Sequence, residues 1–269
     1  MLINWFPGHM ASATKKLKEI KPLDLIVEII DARAIKTSKN EALLKEFNKP
    51  KMTIALKSDL SDYKTIKAPK DVIVGSIKDL SFKEKIIEQL YIFFQPKIDS
   101  LMKKGLLVPQ FYIMVVGLPN VGKSSIINFL GARGAKAIVQ NRPGVTRKNQ
   151  MIKLNDNFFI YDTPGIMVKK ITSVTQGYIL ALLNLIKREV LPIKEVSEWA
   201  FNFYKEHYSK EFFSYFAGFN NSNFTIFVEY LCERYKFKTK DGIIDKGRAM
   251  DYFLTIVKEG SICKVNYEK

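Results

Sequence analysis

The chain has 269 residues, of which 47% are hydrophobic and 26% charged, a composition that supports a buried core and excludes intrinsic disorder. The length allows two domains, or one domain with a smaller appendage. The net charge is +16, and residues 1–169 carry 28 Lys and Arg against 15 Asp and Glu. This excess indicates a polyanionic partner such as nucleic acid, with a general abundance of lysine as the alternative explanation.

Several features argue against secretion or membrane insertion. No apolar run approaches the ~18 residues of a membrane-spanning helix, so we expect no membrane partner. Residues 1–9 lack a basic segment followed by an apolar one and do not resemble a signal peptide. The two cysteines, Cys232 and Cys263, lack metal-ligand spacing and are interpreted as reduced thiols. We therefore expect a cytoplasmic protein, and we expect it to be a monomer.

Apolar and helical patterns alternate through the N-terminal part of the chain. Strands are predicted at residues 23–30, 52–56, 72–74, 111–116 and 158–161. Helices are predicted at residues 41–47, 82–94 and 124–130, and the lysine-rich residues 97–110 are interpreted as a connector. The alternation favours an α/β fold with a mostly parallel sheet and helices on both faces.

Beyond residue 167 helical spacing replaces strand patterns. Apolar residues recur at i, i+3, i+4 and i+7 in two stripes, which are Phe224, Phe227, Val228 and Leu231, and then Met250, Phe253, Leu254 and Val257. We expect both stripes to be core faces, and we expect Phe212, Phe213 and Phe216 to pack in the same core. The chain is thus divided into an α/β domain at residues 1–171 and a small all-helical domain at residues 172–269.

The most informative motif is Gly117-x-x-x-x-Gly122-Lys123-Ser124, which stands between a predicted strand and a predicted helix. Glycines let backbone N–H groups converge on phosphate oxygens, and the helix N-terminus adds positive charge. Lys123 is predicted to bridge the β- and γ-phosphates, and the Ser124 hydroxyl to bind Mg²⁺. The predicted nucleotide contacts of this loop are Asn120, Val121, Gly122, Lys123, Ser124 and Ser125.

Two further segments have the order and spacing of nucleotide-sensing switches. Asp162-Thr163-Pro164-Gly165 follows the strand at residues 158–161; Asp162 is predicted to hold Mg²⁺ through water, and the Gly165 N–H to meet the γ-phosphate. Thr146, in Pro143-Gly144-Val145-Thr146, is predicted to close over Mg²⁺ and the γ-phosphate. These segments predict a GTPase that binds GTP and GDP.

A guanine-reading motif of the Asn-Lys-x-Asp type does not follow the P-loop, but Lys57-Ser58-Asp59 precedes it and comes directly after an apolar run. Asp59 would accept hydrogen bonds from the guanine N1 and N2 groups. Ser76 and Ile77 resemble a second base-contacting loop. The base half therefore precedes the phosphate half, as in a circularly permuted GTPase, in which the loops still meet at the carboxyl ends of the strands.

The motifs Trp5-Phe6-Pro7-Gly8-His9-Met10 and Asp31-Ala32-Arg33, with the permuted order, resemble the RbgA (YlqF) family over nearly the whole chain. That family comprises circularly permuted GTPases that assist late assembly of the bacterial large ribosomal subunit. The resemblance implies ribosomal RNA and the large subunit as partners, hydrolysis coupled to release, and potassium as a cofactor beside Mg²⁺. It also implies a helical domain similar to RNA-binding antiterminator modules.

The group that orients the attacking water must differ from that of many GTPases, because Ile166 occupies the place of their glutamine. The resemblance implies that His9 positions the water and that Asn120 coordinates potassium, so the predicted catalytic residues are His9, Lys123 and Asn120. The alternative for His9 is a surface or capping role, and for Asn120 a simple turn position.

One departure from the family lies in the base site, where Leu56 stands in the place of asparagine. Leucine cannot supply the amide that braces the loop, so we expect guanine preference with weakened nucleotide affinity. Two rival functions remain: another P-loop enzyme such as an ATPase, and a ribosomal RNA-binding scaffold with a decayed nucleotide site. Candidate RNA contacts are Lys15, Lys16, Lys18 and Lys21, then Arg133, Lys136, Arg142, Arg147 and Lys148, and finally Lys236, Lys238, Lys240, Lys246 and Arg248.

Overall fold

A computed structural model describes residues 14–62, 69, 71–131, 150–166, 171–186 and 190–269. Two predicted site residues, His9 and Thr146, lie outside these residues, as do the basic residues between positions 133 and 148. Within the described part of the chain, no helix has both the length and the apolar character needed to cross a membrane.

The described residues form a six-stranded sheet with the spatial order β3-β2-β1-β4-β6-β5. Its strands are β1 (Leu25–Asp31), β2 (Lys51–Leu56), β3 (Val72–Val74), β4 (Phe111–Gly117), β5 (Gln150–Lys153) and β6 (Phe158–Asp162). Neighbours pair in parallel except β5, which runs antiparallel to β6. Every residue of β1 is buried, as expected for a central strand covered on both faces.

Helices cover both faces of this sheet. The first three are α1 (Glu41–Leu44), α2 (Ser81–Lys103) and α3 (Lys123–Leu130). On one face α2 and α3 pack on alternate residues of β1 such as Val27 and Ile29. On the other face α1 and the helical residues 14–18 pack against Ile26 and Val116. This arrangement confirms the predicted mostly parallel sheet with helices on both faces.

Three predicted elements differ from the structure. Residues 97–103 are not a connector, because α2 continues through Pro96 and keeps its buried stripe at Phe94 and Ile98. The predicted helix at residues 41–47 ends at Leu44. The edge strand β5 was not predicted; Met151 is exposed and Ile152 is buried, so its apolar signal is weak.

The C-terminal part is helical, as predicted. It contains α4 (Val174–Leu182), α5 (Ile193–His207), α6 (Ser209–Tyr215), α7 (Phe224–Tyr235) and α8 (Lys246–Glu259). Asn223 and Asp245 cap the N-termini of α7 and α8 through their side-chain oxygens. Both helices bury their predicted stripes, with Met250 only partly buried, and Phe212 and Phe216 are fully enclosed. One hydrophobic core joins these helices to the sheet, so the boundary after residue 171 stays a prediction.

Phe227 lies at the centre of the aromatic core. The centroid of its ring is 5.0 Å from the ring centroids of Phe201, Phe216 and Phe253. Phe227→Ala should lower the free energy of unfolding by about 3–5 kcal/mol, because it removes a fully buried ring and leaves a cavity. Denaturant titration measures this loss. The control is Ile226→Ala on the same helix, where the exposed side chain should make a difference of about 0.5 kcal/mol or less. Equal losses for the two variants would contradict this account of the core.

Candidate functional site: a nucleotide site at the carboxyl edge of the sheet

Loops from both halves of the chain meet at the carboxyl edge of the sheet. The base loop (residues 57–60) follows β2, and the phosphate loop (residues 117–124) follows β4. The strand β1 pairs in parallel with β2 and with β4, which places these two loops on either side of its end. Such an edge of a parallel sheet is where ligands bind.

The phosphate loop has the backbone conformation that its glycines predict. Gly122 has φ 114° and caps the N-terminus of α3, and Asn120 also has a positive φ, of 57°. A residue with a β-carbon rarely adopts the φ of Gly122, whereas glycine does so freely. This conformation allows the loop to turn backbone N–H groups toward an anion at the positive end of α3.

Lys123 lies inside this loop, where only 7% of its surface is exposed. Its Nζ donates to the carbonyl oxygens of Leu118 at 2.9 Å and Gly117 at 3.3 Å. Burial lowers the pKa of Lys123 to about 8, an effect that the Asp162 carboxylate partly offsets. A phosphate ligand would replace carbonyl dipoles with full negative charge around the ammonium group, which makes phosphate binding favourable.

Ser124 and Asp162 form the metal-binding side of the site. Ser124 Oγ donates to Asp162 Oδ2 at 2.9 Å, while Asp162 Oδ1 is buried and accepts no hydrogen bond from the described residues. Burial raises the pKa of Asp162, with Ser124 and Lys123 partly opposing the shift. An orphaned buried carboxylate oxygen beside a hydroxyl fits Mg²⁺, which takes few protein ligands and completes its shell with water and phosphate oxygens.

The segment after β6 packs directly on the phosphate loop. A β-carbon on Gly165 would lie 2.6 Å from Pro119 Cα and 3.0 Å from Lys123 Nζ, so glycine is required for this approach. The Ile166 N–H donates to the Gly117 oxygen at 3.2 Å, and the Ile166 side chain is buried in the core. Ile166 therefore turns away from the site, in agreement with its inability to orient water. The Asn40 side-chain amide donates to the Ile166 backbone oxygen at 3.2 Å, which further restrains the backbone of this segment.

The base loop is held by polar contacts on several sides. Lys57 has φ 64° and its Nζ donates to Asp31 Oδ2 at 2.9 Å. Ser58 N–H donates to the Gly75 oxygen at 3.2 Å, which links the loop to the segment after β3. Partial burial would raise the pKa of Asp59, but hydrogen bonds from Lys78 and Ser76 outweigh it and lower that pKa. Asp59 and Ser76 thus lie together, as the sequence predicts, with Ile77 exposed beside them.

Leu56 packs against the phosphate loop. Its side chain is 3% exposed, and its Cδ1 would lie 3.0 Å from a β-carbon on Gly122. Leu56, the last residue of β2, thus makes an apolar contact with the phosphate loop directly before the base loop begins. Weakened nucleotide affinity caused by Leu56 stays a prediction.

Asn120 connects the phosphate loop to the helical part. Its Nδ2 donates to the backbone oxygen of Asn184 at 3.1 Å, and Asn184, two residues after α4, has a positive φ of 59°. The Asn120 amide oxygen is the atom of this side chain that could bind a cation. Sequence reasoning missed Asn184, because this contact spans 64 positions and leaves no local pattern.

Comparison with known proteins agrees with this geometry. A family profile described as "50S ribosome-binding GTPase" matches residues 112–211, which begin in β4 and leave the base half upstream. The "Probable ribosome biogenesis GTPase A" of Mycoplasma genitalium is 38% identical, with 99% of this chain and 96% of that protein covered. "Ribosome biogenesis GTPase A" of Priestia megaterium is 34% identical, with 78% and 77% covered.

The chain belongs to the ribosome biogenesis GTPase A family. The solved structure of GNP-bound YlqF from T. maritima shares its fold, with a TM-score of 0.70, 24% identity and coverage of 96% of this chain and 98% of that one. A GDP-bound YlqF structure gives a TM-score of 0.68 at 25% identity, covering 95% and 97%. The protein is therefore a circularly permuted P-loop GTPase, a GTP hydrolase of ribosome biogenesis.

The close approach of Gly165 to Pro119 generates a test of the family's phosphate site. Gly165→Ala should weaken binding of a non-hydrolysable GTP analogue by at least about tenfold, because the added methyl group forces the two segments apart. GDP binding should change less, since it lacks the γ-phosphate that Gly165 is predicted to meet. Gly177→Ala in α4 is the control, because its β-carbon would make only ordinary contacts at 3.6 Å or more. Unchanged analogue binding by Gly165→Ala would refute the assignment.

Proposed function

We propose that this GTPase binds the immature large ribosomal subunit, assists its late assembly, and couples GTP hydrolysis to release. The names of its relatives and of the matching family support a ribosomal partner. Ribosomal RNA is the proposed contact, and the net charge of +16 supports it. Lysines 15, 16, 18 and 21 are exposed beside the sheet, and Lys236, Lys238, Lys240, Lys246 and Arg248 are exposed on the helical part.

The observation that carries the coupling is the hydrogen bond from Asn120 to Asn184. It joins the loop that would hold the phosphates to the turn that ends α4. The second connection is the chain itself, because α4 begins with its cap Ser173 only seven residues after Ile166. A change in the γ-phosphate contacts at either place can reorient the helical part, which would change affinity for the ribosome.

The residues of the site have distinct roles in the proposed reaction. Lys123 binds phosphate oxygens, and the Gly165 N–H meets the γ-phosphate. Ser124 and Asp162, with Thr146, would hold Mg²⁺. The positive charge of this ion would stabilise the negative charge that develops on the phosphates during hydrolysis. Lys57, Ser58, Asp59, Ser76 and Ile77 bind the guanine base. His9 is proposed to position the attacking water when the protein is bound to the ribosome.

Steady-state turnover with and without large ribosomal subunits tests the proposed function. Immature subunits should raise GTP turnover by at least about tenfold, whereas ATP turnover should stay at background. His9→Ala should abolish the stimulation and leave GTP affinity unchanged. Subunit binding without any turnover would favour the rival scaffold with a decayed site, although the intact Lys123, Ser124 and Asp162 cluster argues against it. Equal use of ATP would favour the rival ATPase.

A second prediction concerns potassium at Asn120. A monovalent cation bound by the amide oxygen would add positive charge near the phosphates, which is the role of an arginine finger in other GTPases. Such a charge can raise the rate of hydrolysis by a factor of ~10³–10⁵. GTP turnover should therefore be faster in KCl than in NaCl at equal ionic strength. Asn120→Ala should remove the difference. Identical rates of the unaltered protein in the two salts would eliminate the potassium proposal.

A further inference from the structure

Asp31, the last residue of β1, is fully buried, and its carboxylate accepts four hydrogen bonds. Its Oδ1 accepts from the Arg33 N–H at 3.1 Å and from Arg33 Nε at 3.0 Å. Its Oδ2 accepts from Arg33 Nη2 and from Lys57 Nζ, both at 2.9 Å. Burial alone would raise the pKa of Asp31, but the Arg33 and Lys57 cations outweigh it and hold that pKa well below its ordinary value. Asp31 is therefore a charged anchor for two cations.

Arg33 is fixed from a second direction by the C-terminal part of the chain. It is 2% exposed, and its Nη1 donates to the Lys258 backbone oxygen at the end of α8, at 2.9 Å. Its own backbone oxygen accepts from the Tyr267 N–H at 2.8 Å. The planar guanidinium group thus satisfies Asp31 with two nitrogens and a helix carbonyl with the third, a geometry that lysine cannot reproduce.

Lys57 is the residue on which this anchor acts. It holds a left-handed backbone conformation, which is unfavourable for a residue with a β-carbon and persists only where its surroundings enforce it. The ammonium group at the far end of its side chain is the part that meets Asp31, so the side chain spans from the base loop to the end of β1. The Leu56 side chain has no polar atom that could replace this restraint, although its backbone oxygen accepts from the Ala32 N–H at 2.8 Å.

We propose that Asp31 and Arg33 are positioning residues for guanine recognition, which hold Lys57 and through it the base loop that carries Asp59. In this chain they brace the loop where Leu56 cannot. The proposal rests on the assignment of Lys57–Asp59 as the guanine-binding motif. The competing explanation is that the Asp31–Arg33 pair only fastens α8 and the residues after it to the sheet.

A double-mutant cycle separates these explanations. The paired replacement Asp31→Asn with Arg33→Gln removes both charges at once and leaves no orphaned guanidinium group in the core. It should weaken the affinity for a fluorescent GDP derivative by about tenfold, raise KM for GTP, and leave kcat at saturation within about twofold. In a Lys57→Met background the same pair should weaken binding by less than about twofold, because the restraint on Lys57 is already gone. Equal losses in the two backgrounds, or no loss in either, would overturn the proposal.

Two controls make the outcome specific. Asp24→Asn with Lys97→Gln also removes both charges of an ion pair, here a more exposed one at the opposite end of β1, and GDP affinity should not change. Asp59→Ala tests the underlying assignment: if it leaves GDP affinity unchanged, the guanine motif itself is wrong. A loss with Asp59→Ala but none with the Asp31 and Arg33 pair would overturn only the positioning role.

Thermal unfolding shows whether each variant folds. If the paired replacement does not fold, Lys57→Arg and Lys57→Gln carry the test instead. Arginine keeps a cation that can reach Asp31, so Lys57→Arg should bind GDP at least about threefold more tightly than Lys57→Gln. Glutamine lacks the charge, and Lys57→Gln should lower the affinity for GDP by about tenfold. Equal affinities of these two variants would overturn the proposal.

Discussion

The nucleotide site depends on the parallel pairing of β1 with a strand on each side. In the register of the sheet Asp31 lies opposite Leu56, and Ile29 lies opposite Gly117. Parallel pairing requires the three strands to end at the same edge, so the loops that leave β2 and β4 are neighbours whatever their order along the chain. The permutation is tolerated for this reason: the site needs adjacency of strand ends, and the sheet provides it from either order.

The sequence was informative where function depends on local backbone geometry. The phosphate loop and the helix after it were predictable, because their conformation and chemistry depend on the residue types at Gly122, Lys123 and Ser124. The buried strands were predictable because they are continuous apolar runs. The edge strand β5 was missed because it buries too few residues to leave a pattern. The full length of α2 was not predicted because the lysine-rich composition of residues 97–110 indicated a connector, whereas the buried stripe of the helix continues beyond Pro96.

The contacts that hold the loops in place could not be read from the sequence in the same way. The hydrogen bonds that join Lys57 to Asp31, Asn40 to Ile166 and Asn120 to Asn184 span 26, 126 and 64 positions of the chain, and in two of them a backbone oxygen accepts. A backbone acceptor imposes no choice of residue type, and therefore leaves no signature in the sequence. The Leu56 substitution was visible in the sequence, but its packing on Gly122 was not. Apolar contact of this kind is non-directional, so orientation must come from charged and hydrogen-bonded groups elsewhere.

The contact between Arg33 and Lys258 joins residues 225 positions apart and has a consequence for synthesis of the protein. A nascent chain emerges with the base loop before α8 and Tyr267, so the anchor around Asp31 is incomplete until these residues have been translated. Contacts of such high sequence separation form late and slow the final folding step. This GTPase of ribosome biogenesis thus completes the surroundings of its own nucleotide site only after the ribosome has translated α8.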